Sequence, residues 1–431
     1  MFRTVLGVLA LLLAHNSFSQ DKDSVDRWTF RFMNTVVQQG HEGFHPPYHG
    51  IKSLDSMSET QITVRNTWFL GRRLTNRTSI YINPELAGGS GLSGVAGIAG
   101  FPNGEAFRVG SGSPKIYVAR FFIRHEFPLT KETVLVEDGI NQLKERLAVK
   151  RLTLTVGKFS LLDYFDNSNY ANDGRTQFMN WALMTGGAYD FASDTRGNTW
   201  GAVLEYITPK RSIRFAITTP SSTPNGPKFD FDLLQAHGIN LEYRRLFTLF
   251  GRMGHFGVVG FYNSTLGVRF TDAVYTAPDS IARMRTSYHG KYGVVLKLEQ
   301  EQQNFGWFIN GSWADGKTEN FGFTQIDRSI MAGIVVGGIR WRRPNDKIGL
   351  AGTINGLSPE QANFLERGGN GFIIGDGRLR YATERAAEVY YSIRVHNNIF
   401  LTLDYQYIWD MAFNADRGNI GVWAIRSHVE L

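Results

Sequence analysis

The sequence contains no cysteine in 431 residues, so a chain of this length must hold together without a disulfide framework. A large core or a membrane has to take over that role. After the first twenty residues no stretch approaches the roughly 20 consecutive apolar residues that a spanning helix requires. Nucleotide binding through a phosphate loop is excluded too: the glycine-rich stretch at residues 81–114 lacks the lysine and hydroxyl that must follow its last glycine, and Phe101, Pro102, Asn103 and Gly104 stand there instead. There is no GxSxG. The formal charge is +7, but the basic residues are scattered singly, with no zinc spacing and no basic helical face, so nucleic acid is not an expected partner.

The chain begins MFRTVLGVLALLLAHNSFSQ. Arg3, the apolar run Val5–Ala14 and the small residues Ser17 and Ser19 form an export signal, with cleavage expected after Ser19. Residues 20–431 then make a single domain. Glycine is abundant at 47, and aromatics make up 13%.

The strongest pattern is alternation over about ten residues, the length of a tilted membrane-crossing strand. In KIYVARFFIRHEF, Tyr117, Ala119, Phe121, Ile123 and Phe127 are expected on a lipid side and Arg120, Arg124 and Glu126 on a water side. Near the end, Val389, Tyr391, Ile393 and Val395 oppose Glu388, Tyr390, Ser392 and Arg394. Leu401, Leu403, Tyr405, Tyr407 and Trp409 oppose Thr402, Asp404 and Gln406, with a tight turn at His396–Asn398 between the two strands. The last strand sets Trp423, Ile425, Val429 and Leu431 against Arg426, His428 and Glu430.

Sixteen such segments are expected, near 28–37, 60–71, 77–85, 115–127, 150–159, 200–207, 212–220, 238–247, 250–262, 290–300, 304–313, 331–342, 346–354, 384–395, 399–409 and 420–431. Short links alternate with long ones, the rhythm of periplasmic turns and outer loops. Residues 128–149 break it, and GINQLKERLAVK within them predicts a small periplasmic helix. The expected fold is therefore an all-β transmembrane antiparallel barrel. A soluble sheet protein would alternate as well, but arginines and carboxylates mixed on the polar faces, with Trp28, Trp68, Trp200, Tyr206, Trp341, Trp409 and Trp423 bordering the apolar ones, favour a barrel with aromatic girdles.

Several long segments add specificity: NPELAGGSGLSGVAGIAGFPNGEAFRVG, VARFFIRHEF, VGKFSLLDYFDNSNYANDGRTQFMNWALMTGGAYDFASDTRGNTWGAVLEY and LTLDYQYIWDMAFNADRGNIGVWAIRSH. From about Thr60 to Leu431 the sequence resembles the carbohydrate-selective porins, the OprB-like family. That resemblance implies a single-chain, sixteen-stranded outer-membrane barrel that conducts sugars down their gradient. The signal ending SFSQ is similar to those of the Bacteroidota. Leu431 departs from the aromatic last residue common in such barrels.

Two loops attract attention. Residues 86–114 are glycine-rich, which permits positive φ angles and close packing; they either fold inward and narrow a pore or form a mobile outer loop. Asn103 and Glu105 either point into the channel or cap a turn. Residues 160–199 form the second long loop. In it Asp163, Asp166 and Asp173 offer oxygen ligands for calcium, although the spacing is not that of an EF-hand and turn formation is the simpler account. No other cofactor is expected.

The expected function is a passive outer-membrane channel for carbohydrates or similar small polar solutes, and no enzymatic reading competes. Its lumen candidates are Arg120, Arg124, Arg214, Arg244, Arg340 and Arg394, opposed by Glu205, Glu242, Glu388 and Asp404. Both signs of charge suit hydroxyl binding. A structural ion-paired role for each arginine stays open. So do two other functions: a general or weakly anion-selective porin, and a barrel that holds a partner protein. Expected partners are outer-membrane lipid and lipopolysaccharide outside and mono- or oligosaccharides inside, with the chain a monomer.

Overall fold

A computed structural model of the chain describes residues 25–106, 112–276, 278–375 and 377–431, so the export segment expected at 1–19 lies outside the described residues. The strands are β1 (Trp28–His41), β2 (Glu59–Thr75), β3 (Thr78–Gly89), β4 (Lys115–Pro128), β5 (Thr133–Val136), β6 (Glu145–Ala148), β7 (Arg151–Phe159), β8 (Thr199–Ile207) and β9 (Arg211–Thr218). They continue with β10 (His237–Leu249), β11 (Arg252–Gly267), β12 (Ser287–Glu301), β13 (Phe305–Ala314), β14 (Arg328–Gly337), β15 (Lys347–Gly356), β16 (Glu384–His396), β17 (Ile399–Trp409) and β18 (Ile420–Glu430).

All but β5 and β6 form one closed antiparallel barrel, and β1 closes it by pairing with both β2 and β18. Each of the sixteen expected segments overlaps one barrel strand. Closure removes the unpaired edges that an open sheet would expose, and in a bilayer every strand amide must find such a partner. An even strand count places both termini at the end with short turns, which in single-chain outer-membrane barrels is the periplasmic end. The turn between β10 and β11 shows the local chemistry of that end: Phe250 and Gly251 both take positive φ, 54° and 71°, the geometry of a tight hairpin.

Alternation places Phe121, Ile123, Leu204, Phe215, Ile330, Leu350 and Leu403 on the outer surface, exposed to what surrounds the barrel. The inward positions are polar and buried, among them Thr63, Thr67, Asn240, Asn310, Thr402 and Gln406. They are buried because the outer loops fold into the barrel. The main apolar cluster lies inside it, joining wall residues such as Tyr81, Phe122, Val203 and Phe261 to Val95, Phe101, Phe165, Trp181, Tyr189 and Phe191 of the loops.

Three expectations need correction. Residues 128–149 do not form a helix; β5 and β6 pair there as a small separate hairpin sheet. The helical propensity of that stretch is outweighed because Leu143, 0% exposed, is drawn into the barrel's apolar cluster. In β4 the faces change phase: Arg120 pairs with Asn83 but Val118 with Pro84, a bulge that adds one residue to β4. Tyr117 and Ala119 therefore turn inward with Arg120, and Tyr117 donates a hydrogen bond to Glu85. Finally, β14 ends at Gly337, so Arg340 falls in an exposed inner-end turn, Gly338–Trp341, and does not line the lumen.

Candidate functional site

The glycine-rich loop runs inside the barrel. Wall carboxylates hold its backbone: Glu59 accepts from the Ser93 amide at 2.7 and 2.8 Å, and Glu384 accepts from Ala99 and Gly100 at 2.9 and 2.6 Å. Such bonds answer the main difficulty of an inward loop, whose amides leave water and need new acceptors. Two of its glycines are required by geometry. Gly97 has φ of 88°, and a Cβ there would collide with the Leu54 backbone. Gly89 has φ of 96°, and a Cβ there would collide with the Ile62 carbonyl.

The second long loop is anchored in the same way. Glu388 accepts from Met179 and Asn180 at 2.6 and 2.9 Å, Glu242 from Asp166 at 3.0 Å, and Glu299 from the Ser168 hydroxyl at 2.6 Å. The two loops also pack on each other. Phe101 stacks on Trp181 with centroids 5.3 Å apart, and the Trp181 amide donates to the Phe101 carbonyl at 3.0 Å.

Between the loops and the wall formed by β1, β2, β3 and β4 a cavity of about 450 Å³ remains. It extends from Arg196, Gly197 and Phe323 of the outer loops to Ile140 and Asn141 at the periplasmic end. Five arginines, Arg65, Arg120, Arg124, Arg175 and Arg196, line it together with Glu85, Glu105, Asp163 and Asp173. Arg120 grips Asp163 through two bonds of 2.6 Å. Arg65 bridges Glu85 at 3.0 Å and Glu105 at 2.6 Å, and Arg175 reaches Glu105 at 3.2 Å. Trp181, Phe191 and Phe323 supply aromatic wall, with Trp181 and Phe323 centroids 5.2 Å apart.

Among the expected lumen residues, Glu105, Arg120 and Arg124 meet at this cavity. Asn103 does not: it is buried, bonds Thr63 at 3.2 Å and accepts from the Glu105 amide, so it caps a turn. Glu205, Arg214 and Glu242 sit side by side on β8, β9 and β10 as one ion-paired row, and Arg244 pairs with Glu299 at 3.3 Å. Glu388 and Asp404 are buried beneath the second loop. Arg394 lies at the periplasmic rim, where it bonds the Asn397 carbonyl and Asn345.

The three aspartates considered for calcium enter three separate networks. Asp163 pairs with Arg120, Asp166 with Lys297 at 2.8 Å, and Asp173 accepts from the Arg175 amide and the Thr176 hydroxyl. Among the described residues no group of three or more His, Asp or Glu side chains is arranged to hold a metal.

The sequence reading missed Arg65, Glu85, Arg175 and Arg196. Arg65 alternates in phase with Thr63 and Thr67, a pattern that marks it as inward. Arg175 and Arg196 sit in an irregular loop with no period to read.

Glu105 provides a pH test of the loop clamp. Burial raises its carboxyl, but the charges of Arg65 and Arg175 outweigh that effect and hold it at about 2, against the ordinary 4.5. A folded value below the unfolded one adds stability that is fully present above pH 4.5 and is lost as pH falls toward 2. The difference amounts to roughly 3 kcal/mol. Stability measured through that window is expected to fall in the native chain by about this amount more than in Glu105→Gln; equal slopes would refute the clamp.

A closed sixteen-stranded barrel with inward loops and a charged residual passage defines an outer-membrane channel. Residues 52–431 match the carbohydrate-selective porin, OprB family, and the chain belongs to it. In structure it is similar to Pseudomonas putida OprB at high pH, with a TM-score of 0.69, 15% identity and 94% of each chain covered. It also resembles Acinetobacter baumannii OccAB1, with a TM-score of 0.51, 10% identity, and 96% of this chain and 99% of that one covered. No curated protein matches the sequence. The chain is a passive outer-membrane channel for small polar solutes, and its relatives are channels rather than enzymes.

Proposed function

We propose that the channel selects mono- or oligosaccharides by binding them in the cavity that Arg120, Arg196 and Asn198 line together with Trp181, Phe191 and Phe323. The observation that carries this reading is the pairing of aromatic wall with fixed donors and acceptors in one passage. A sugar presents hydroxyls that take planar donors and carboxylate acceptors, and a C–H face that packs on an aromatic ring. Ion pairing serves the reading: arginines held by Asp163, Glu85 and Glu105 keep fixed positions and present little net charge to a neutral solute. No energy source enters the mechanism, so the chain acts as a passive filter.

Planar-bilayer recordings test this directly. Neutral mono- and oligosaccharides are expected to block the ion current in a concentration-dependent way, and a channel unaffected by every sugar tested is not a sugar-binding porin. A second reading rests on the lining count, five arginines against four carboxylates, which favours weak anion selectivity. A reversal potential favouring chloride with no sugar block would support it instead. Absence of any conductance from folded protein would favour a scaffold for a partner.

A further inference from the structure

The link between β4 and β7 is far longer than the other inner-end turns, and its tip is fastened across the barrel mouth. Asp138 takes Thr29 at 2.6 Å and the Arg31 guanidinium at 2.8 and 3.1 Å. Asn141 accepts from Asn83 through its side chain at 2.8 Å, and from Arg124 through its carbonyl at 3.0 Å. Arg73 bonds the Lys144 carbonyl at 3.1 Å. Donors from β1, β2, β3 and β4 thus converge on eight residues of turn, and Leu143 is 0% exposed beneath them. Asn141 is held at φ of 53°, a conformation that costs energy outside glycine and persists where its surroundings enforce it.

This tip divides two cavities. The passage of about 450 Å³ ends at Ile140 and Asn141. A second space of about 210 Å³ opens on the other side, lined by Gln142, Glu145, Leu147 and Arg151. Arg124, Asp163 and Tyr164 line both, and Arg124 is bonded to the tip at Asn141, so a solute leaving the first enters the second between the tip with its Arg124 and the side chains of Asp163 and Tyr164. Ile140 stands 48% exposed at this neck, although an apolar side chain gains by burial and the apolar cluster holding Leu143 is adjacent.

We propose that residues 138–145 form a second, exit constriction of the channel, with Ile140 as the side chain that limits it, Asp163 and Tyr164 as its opposite wall, and Arg124 joining tip and wall. Rigid fastening makes it a fixed filter in series with the inward outer loops. A narrow neck in series with the outer loops adds its own resistance to the flow of hydrated ions as well as of sugars. Its contribution is therefore visible in plain salt, independent of whether sugars bind in the cavity.

The native chain has no cysteine, which makes single-thiol labelling unambiguous. Ile140→Cys, folded into planar bilayers in potassium chloride, is treated from the hairpin side with a methyl and then a bulky methanethiosulfonate reagent. Bulky labelling is expected to remove most of the conductance, methyl labelling to change it little, and Ile140→Gly to raise it. Val134→Cys on the outer part of the same hairpin, 47% exposed, serves as the control and is expected to keep its conductance when labelled. Complete labelling at position 140, shown by mass spectrometry, with unchanged conductance overturns the proposal, as does an equal loss at position 134. Both comparisons use near-native chains, so neither depends on a hairpin deletion that fails to fold.

Discussion

Replacing Ser90–Pro102 with a short Gly/Ser bridge is expected to raise single-channel conductance several-fold and to weaken block by sugars. The segment occupies lumen space that nothing else in the chain can fill. Val95, Ala99 and Phe101 are buried within the barrel's inner cluster, and Phe101 forms the stacking partner of Trp181. Their removal costs internal packing, on the order of 3 kcal/mol or more for the Phe101 ring alone. It does not open the wall, because β3 and β4 remain paired from Thr78 to Ala87 and shortening a loop changes closure entropy little. Glu384 keeps the Ala412 amide at 2.7 Å after losing Ala99 and Gly100. Heat-modifiable gel mobility establishes that the variant has folded, and conductance then decides. An unchanged value in folded protein would place the segment outside the conducting path and leave selectivity to the 160–199 loop.

The wall of this protein was legible because its physics is periodic. A strand with lipid on one side and water on the other must alternate, so β16, β17 and β18 could be placed, with the sides of Glu388, Asp404 and Arg426, from residue order alone. The period fails where the backbone adds a residue. One bulge in β4 turned Tyr117 and Ala119 inward, against the simple count. It failed again at 128–149, where local propensity favoured a helix and long-range contacts to Arg31, Asn83 and Arg124 imposed a hairpin tip.

The candidate site was legible only in part, for a related reason. Sequence alternation shows that a carboxylate faces inward but not what it meets there. Glu242 and Glu388 were expected to face solute, yet they accept amides from the loop at Asp166, Met179 and Asn180. The distinction depends on where an aperiodic loop lies, and that is fixed by contacts hundreds of residues apart. An inward loop creates donors that need acceptors, so some of the wall charge in such a barrel serves the loop before it serves the solute. The inward folding of the 160–199 loop and the loss of Glu242 and Glu388 as free lumen groups are thus two sides of one arrangement.

Asp166→Ala is expected to be among the most destabilising single changes, because this residue ties the second loop to the opposite wall. Its side chain is fully buried and pairs with Lys297 at 2.8 Å. It also accepts from the Thr185 hydroxyl at 2.8 Å, the Gly186 amide at 2.6 Å and the Asn310 amide at 3.2 Å. Truncation strands the Lys297 ammonium, itself 8% exposed, with the Asp166 carbonyl as its remaining partner. Breaking a buried pair from one side costs about 3–5 kcal/mol, most of it the uncompensated charge. The double variant Asp166→Ala/Lys297→Met removes that charge as well, so it is expected to recover a large part of the loss while still lacking the bonds to Thr185 and Gly186. Unfolding measured by the temperature at which gel mobility changes reads the stability of all three proteins, and bilayer recordings read the loop, which should flicker in both variants. If the single variant matched the native chain in stability and in current noise, Asp166 would not be the anchor. If the double variant were no more stable than the single one, the stranded charge would not be the cause.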